Sequence, residues 1–216
     1  MTLLDSARGP AMQWALIIFL AGTLFRLSGL LFFSRKKPLS KPRGNATLAG
    51  YKAIFTRTIP NKVFHRRIGS VHIMSLAWHL GFMFVVLFFQ PHIVFFEGLL
   101  GLSWPGVANS IVMPVAGITL VLMVLAIVRR LNHPVLKLLS NFGDFATLVV
   151  TALPLLTGML ASAHVGLRYE TMLAIHLLSF SLLLIWAPFS KLMHIVLFIP
   201  SRKRLGEKLG YKGVKA

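Results

Sequence analysis

Residues 173–200 read LAIHLLSFSLLLIWAPFSKLMHIVLFIP, an apolar stretch holding His176 and His194 eighteen residues apart. Eighteen residues are five helical turns, so on one continuous helix both imidazoles share a face, roughly 27 Å apart. That nearly spans a hydrocarbon core of about 30 Å, which places one histidine near each membrane surface. Polar side chains inside a bilayer are costly and tend to mark function. Two imidazoles on one face suggest axial ligands for two metal centres, with haem iron the natural candidate. The competing reading is two histidines hydrogen-bonded to neighbouring helices.

The rest of the 216-residue chain fits that setting: 56% of it is hydrophobic, 13% is charged, and it has no cysteine. The composition predicts an all-α membrane protein forming one domain over 1–216. Without cysteine the chain itself holds no thiolate-bound iron–sulfur cluster, cysteine-ligated zinc or covalent c-type haem. A net charge of +18 would suggest nucleic acid in a soluble protein. Here the basic residues are segregated between apolar spans, which argues for membrane topology and against nucleic-acid binding.

Five spans are expected, at about 12–33, 71–90, 110–128, 145–163 and 172–198. The first is too long for a signal-peptide core and its Arg35-Lys36-Lys37 cluster follows it, so it reads as a retained helix. The connection 34–69 is a basic loop with ten Lys/Arg and no acid, in which Tyr51 to Phe55 suggests a short amphipathic piece at the membrane surface. Residues 201–216 form a basic tail. Lys and Arg number ten, three and seven after spans one, three and five, against one, none and one in the alternate segments. The positive-inside rule therefore predicts a five-transmembrane-helix bundle with its N-terminus outside and its C-terminus cytoplasmic.

Two centres held by imidazole need ligands from a second helix. His72, His79 and His92 lie within or at the end of span two, which runs opposite to span five. The pairing is therefore crossed: His194 with His79 or His72, and His176 with His92. His72 sits at the membrane edge, whereas His79 lies deeper, where an unpartnered imidazole is costly. Gly81 beside it would let a porphyrin edge approach the backbone. His92 lies about 140° around the helix from His79, so it serves only if Pro91 reorients the helix end. Without it the chain would carry one haem rather than two. Asp144 reads as the N-cap of span four, and His65 and His133 as loop histidines without chemistry.

The stretch Pro188-Phe189-Ser190-Lys191-Leu192-Met193-His194-Ile195 resembles Pro-Phe-Ser-Arg-Leu-Val-His-Ile of the haem-b membrane subunit of respiratory nitrate reductase, the gamma-subunit family. The likeness extends to membrane cytochromes of heterodisulfide-reductase-like and sulfite-reductase-associated complexes. His176 stands at that family's eighteen-residue spacing. Leu76-Ala77-Trp78-His79-Leu80-Gly81, Arg130-Leu131 with Pro134, residues 140–144, Thr157-Gly158-Met159-Leu160 and Arg26 continue the likeness. The family places its second span-two histidine ten residues after the first; here that position is Phe89, and His92 follows three residues later.

The resemblance implies a membrane-anchoring b-type cytochrome of the cytoplasmic membrane. Its two haems b would relay electrons between a membrane quinone and a cytoplasmic iron–sulfur partner subunit. His79 and His194 would hold the cytoplasmic-side haem, His176 and His92 the outer one, and Arg26 would meet a propionate. His164 could hydrogen-bond a quinone at the outer side, with Glu97 relaying protons. A haem-free transporter, channel or structural anchor with intramembrane histidines is the alternative, and it predicts no Soret band.

Overall fold

The computed structural model describes residues 2–32, 40–59 and 65–214; the Arg35-Lys36-Lys37 cluster and Lys62 lie outside them. Of the described residues 84% are helical, with no strand among them. Among the described residues, five helices are long and apolar enough to cross a membrane: Leu3–Leu30, Ile68–Phe88, Asn109–Asn132, Phe142–Ala163 and Tyr169–Phe189. Large apolar side chains stand outward along them, such as Phe25, Leu80 and Ile118. In a five-span bundle those faces meet lipid.

The first span begins earlier than its apolar pattern suggests. α1 (Leu3–Ser6) starts on a Thr2/Asp5 capping box and runs through a π turn, Ala7–Ala11, into α2 (Met12–Phe32). Pro10 sits in that π turn. The basic connection contains α3 (Ala46–Thr56), capped by the Asn45 side chain. Span two belongs to α4 (His65–Phe88), which stops because Phe89 turns extended ahead of Pro91.

The chain then forms a helix that the hydrophobic pattern does not announce, α5 (Gln90–Leu100), closed by Gly101 in the left-handed region. Proline is tolerated in its first turn, where no N–H is needed. The carbonyls released at the end of α4 are taken up locally. Trp104 Nε1 donates to Leu87 O at 2.6 Å, and Val107 N donates to Phe88 O at 2.9 Å.

α6 (Asn109–Asn132) carries Arg129 and Arg130 in its last turn, which suits the helix dipole. It ends at His133, before Pro134 starts the short α7 (Pro134–Leu139). α8 (Phe142–Ala163) starts on a capping box in which Asn141, not Asp144, is the N-cap. Asp144 is the reciprocal partner three residues on, a correction to the sequence expectation.

The largest departure is in the stretch quoted first. It is not one helix over 172–198. α9 (Tyr169–Trp186) gives way to 3-10 turns at Ala187–Phe189 and Lys191–Met193, and α10 (His194–Tyr211) begins at the second histidine. Pro188 breaks the helix, and the break is packed in place. Pro188 is buried, and a side chain at Gly22 of α2 would meet its Cβ at 2.6 Å. The five-turn register between His176 and His194 therefore does not apply.

α4 packs on α6, α6 on α8, α8 on α9 and α9 on α2; α4 and α9 hardly approach one another. Val85, Val112, Ala116, Met123 and Leu155 form the core where α4, α6 and α8 meet. A Cβ at Gly81 would collide with the Thr119 hydroxyl, so this glycine admits α6 to the face of α4 rather than a porphyrin edge. Small residues let backbones approach in this way.

The basic tail is likewise helical as far as Tyr211. α10 lies against α3 through Gly206 and Gly210, four residues apart on one face. A Cβ at Gly206 would lie 2.5 Å from both Ala49 O and Ala53 Cβ. Arg202 donates to Thr58 Oγ1 at 2.9 Å, and Lys203 sits 4.6 Å above the Tyr51 ring.

Candidate functional site

Four histidines meet in two pairs across the α4–α9 separation. His79, from the middle of α4, faces His194 at the start of α10, with ring centroids 6.0 Å apart and planes at 76°. His92, in the first turn of α5, faces His176 of α9 at 6.1 Å and 14°. The break at Phe89 is what brings His92 around: a separate helix supplies the turn that a straight α4 could not. His72 makes no ring contact among the described residues and stands apart from both pairs.

Each of the four rings is tied down at Nδ1. His79 Nδ1 lies 2.6 Å from Ser75 O, His92 Nδ1 lies 3.1 Å from Val85 O, and His194 Nδ1 lies 2.8 Å from Lys191 O. A carbonyl only accepts, so Nδ1 carries the proton in each case and Nε2 keeps its lone pair. His176 Nδ1 lies 3.3 Å from the hydroxyl of Thr157, which donates back to Leu153 O at 2.8 Å. The Thr157 lone pairs are thus left for a proton on His176 Nδ1. Burial lowers the pKa of His92, which lies beyond the end of its span, and this favours the neutral imidazole. Fixing one ring nitrogen to orient the other is how proteins present histidine to a metal.

The spacing also suits a shared ligand. A metal–imidazole bond is roughly 2.0–2.1 Å and the ring centre lies about 1.1 Å behind the nitrogen, so two imidazoles on one metal have centroids about 6.3 Å apart. Direct hydrogen bonding between two rings would instead bring their nitrogens within about 3 Å on one line. No group of three or more metal-ligating side chains occurs among the described residues, so a polydentate site of the zinc kind has no donor set here.

The His92–His176 pair opens on a largely apolar cavity of about 550 Å³ between α4, α5, α6, α8 and α9. That is the size range of small-molecule and cofactor sites. Gly158 forms part of its wall, and a Cβ there would stand 3.0 Å from His176 Cε1. The polar rim includes Gln90, Asn109, His164 and Tyr169. His164 is the left-handed C-cap of α8 and stacks on Tyr169 at 5.0 Å. Glu97 is not on this cavity; near the end of α5 it accepts from Ser103 Oγ at 3.2 Å. Arg26 lines a separate opening of about 520 Å³ together with Leu197, one turn beyond His194.

Sequence reasoning passed over Thr157 as a partner of His176, and Ser75 and Val85 as backbone acceptors. A threonine at helical spacing within an apolar span is the one signal that could have pointed to the first. It also left unexplained how Asp144 and Lys191 stand to the site. Lys191 Nζ lies 2.5 Å from Asp144 Oδ1, next to the turn that carries His194.

No family model and no solved structure matches the chain. A curated protein of Nitratidesulfovibrio vulgaris (strain Hildenborough), bearing the bare name Protein, is 37% identical to it over 129 residues. The match takes in 60% of this chain and 57% of the relative, so the chain covers little more than half of that protein's length.

Proposed function

We propose that the chain is a b-type membrane cytochrome, in which His79 with His194 and His92 with His176 are the axial ligands of two haems. The observation that carries this reading is the twofold occurrence of one geometry. In each pair, imidazoles from separate segments face each other at about 6 Å with Nδ1 already engaged. Haem iron held by two histidines has no open coordination position and supplies reversible one-electron transfer. The protein's part is to present Nε2, to fix the ring planes and to keep water from the outer centre with the apolar walls of its cavity.

The physiological role that follows is an electron relay between a membrane quinone and a cytoplasmic iron–sulfur subunit, with the N-terminus outside and the C-terminus inside. The resemblance around His194 to the nitrate reductase gamma-subunit family supports this role, as does the absence of cysteine, which assigns clusters to a partner. His164 and Tyr169 at the rim of the outer cavity are the groups that would meet a quinone headgroup. Arg26, near the start of α10, would meet a propionate. The cytoplasmic membrane is the location that this role requires.

The test is a reduced-minus-oxidised visible spectrum of purified protein with a haem-to-protein ratio. Two b-haems per chain are expected, falling to one in His194→Ala and to one in His92→Ala. A colourless protein refutes the reading. One haem, lost in His194→Ala and kept in His92→Ala, removes the outer site.

A further inference from the structure

The inner pair differs from the outer pair in one respect. His176 is presented from the body of a helix, whereas His194 stands exposed at the end of a break. Something must hold that break still. Pro188 is packed against Gly22, and Ser190 caps the second 3-10 turn, accepting from Leu192 N at 3.2 Å. Trp186 Nε1 donates to Thr147 Oγ1 of α8 at 3.0 Å. These contacts fix where the break lies. The Lys191 carbonyl, the acceptor for the His194 ring, shares a peptide plane with Leu192 N and also accepts from His194 N. The 3-10 turn thus holds it from the main chain and leaves the Lys191 side chain as the second hold.

That carbonyl belongs to a residue gripped from the other side. Lys191 Nζ reaches across to α8 and meets Asp144 Oδ1 at 2.5 Å. Asp144 is only 5% exposed, and its other oxygen accepts from Asn141 N at 3.1 Å. A carboxylate so enclosed needs a cationic partner. Here the partner is the residue whose main chain orients the ligand.

We propose that Asp144 is a positioning residue for the inner centre: through its ion pair with Lys191 it holds the Lys191 carbonyl against Nδ1 of His194, and so sets the direction of the His194 ring toward His79. The inference rests on the function proposed above. It adds that α8, which supplies no ligand to the inner centre, controls that centre's geometry. Outer-shell partners of this kind change retention of a metal group by about 10–100-fold when removed.

Asp144→Asn is the informative variant, because an asparagine oxygen can still accept from Asn141 N and preserve the helix start while losing the charge that holds Lys191. Lys191→Met removes the same pair from its 67% exposed side and serves should Asp144→Asn fail to accumulate. Lys191→Arg keeps the pair. The readouts are haem stoichiometry, the low-spin electron paramagnetic resonance signals and the two midpoint potentials in the membrane-embedded full chain, with the outer haem as internal reference. Expected are an altered inner-haem signal and roughly tenfold weaker retention of that haem in Asp144→Asn and Lys191→Met. The outer haem stays unchanged, and Lys191→Arg behaves as wild type. Inner-haem signals identical to wild type in both variants overturn the assignment, as does an equal change at both haems, which would mark a general packing role. A wild-type protein with no haem overturns the function proposed above and this inference with it; two haems with no response overturn this inference alone.

Discussion

The ring of His92 lies almost parallel to that of His176, with planes 14° apart at a centroid separation of 6.1 Å. The rings of His79 and His194, at nearly the same separation, are turned to 76°. Two pairs of the same side chain at the same separation thus differ in the angle between their rings. The His92–His176 pair follows the α4–α5 break, and the His79–His194 pair follows the break before α10.

The first prediction follows from this difference. Axial imidazoles with near-parallel planes give a rhombic low-spin ferric signal, and near-perpendicular planes give a strongly anisotropic one. The oxidised protein should therefore show one signal of each kind. His92→Ala should remove the rhombic signal and His194→Ala the anisotropic one. Two indistinguishable signals would refute the geometric assignment.

Gly158 supplies the second. An alanine there puts a methyl carbon 3.0 Å from His176 Cε1, so the ring has to tilt or withdraw. Gly158→Ala should reduce outer-haem content and shift its potential while leaving the inner haem intact. Haem-resolved redox titration of the variant measures this directly. Thr157→Val, which deletes the hydroxyl beside His176 Nδ1, should move the same potential without the steric loss.

A third concerns the contact between α3 and α10. Gly206 and Gly210 allow α10 to touch the backbone of α3, and a Cβ at Gly206 would stand 2.5 Å from Ala49 O. Gly206→Val should detach α3 and destabilise the region by about 1–3 kcal/mol, the usual penalty of overpacking. Limited proteolysis should then cut within 40–59 faster than in the wild type. Both haems should stay in place, since neither pair draws on this contact.

The absence of cysteine allows a fourth test, of orientation. Single substitutions Lys208→Cys and Ser103→Cys introduce unique thiols in otherwise thiol-free chains. A membrane-impermeant maleimide applied to intact cells should label the second and spare the first. Labelling of position 208 from outside would reverse the proposed topology.

The five apolar spans were legible because each is long, strongly hydrophobic and bounded by charge or proline. The antiparallel sense of spans two and five was equally legible, and it orders the four histidines as the ring contacts do. The break at residues 187–193 was not. Apolar residues continue through Pro188 without interruption, and a proline alone does not distinguish a kink from an end. α5 was hidden for the opposite reason, since Pro91 reads as a stop although it stands in a first turn. The α3–α10 contact joins segments about 150 residues apart through glycines, which leave no hydrophobic pattern. Gly81 was misread because a glycine shows only that something comes close, and here that is Thr119 rather than a cofactor.

Among the described residues, α6 is the long helix against which α4 chiefly packs, and with α5 at its end α4 bears one imidazole of each pair. It resembles a door leaf hung on a single post. In the proposed cytochrome both centres would share that one seam, so a substitution that loosens α4 from α6 is expected to weaken both grips together.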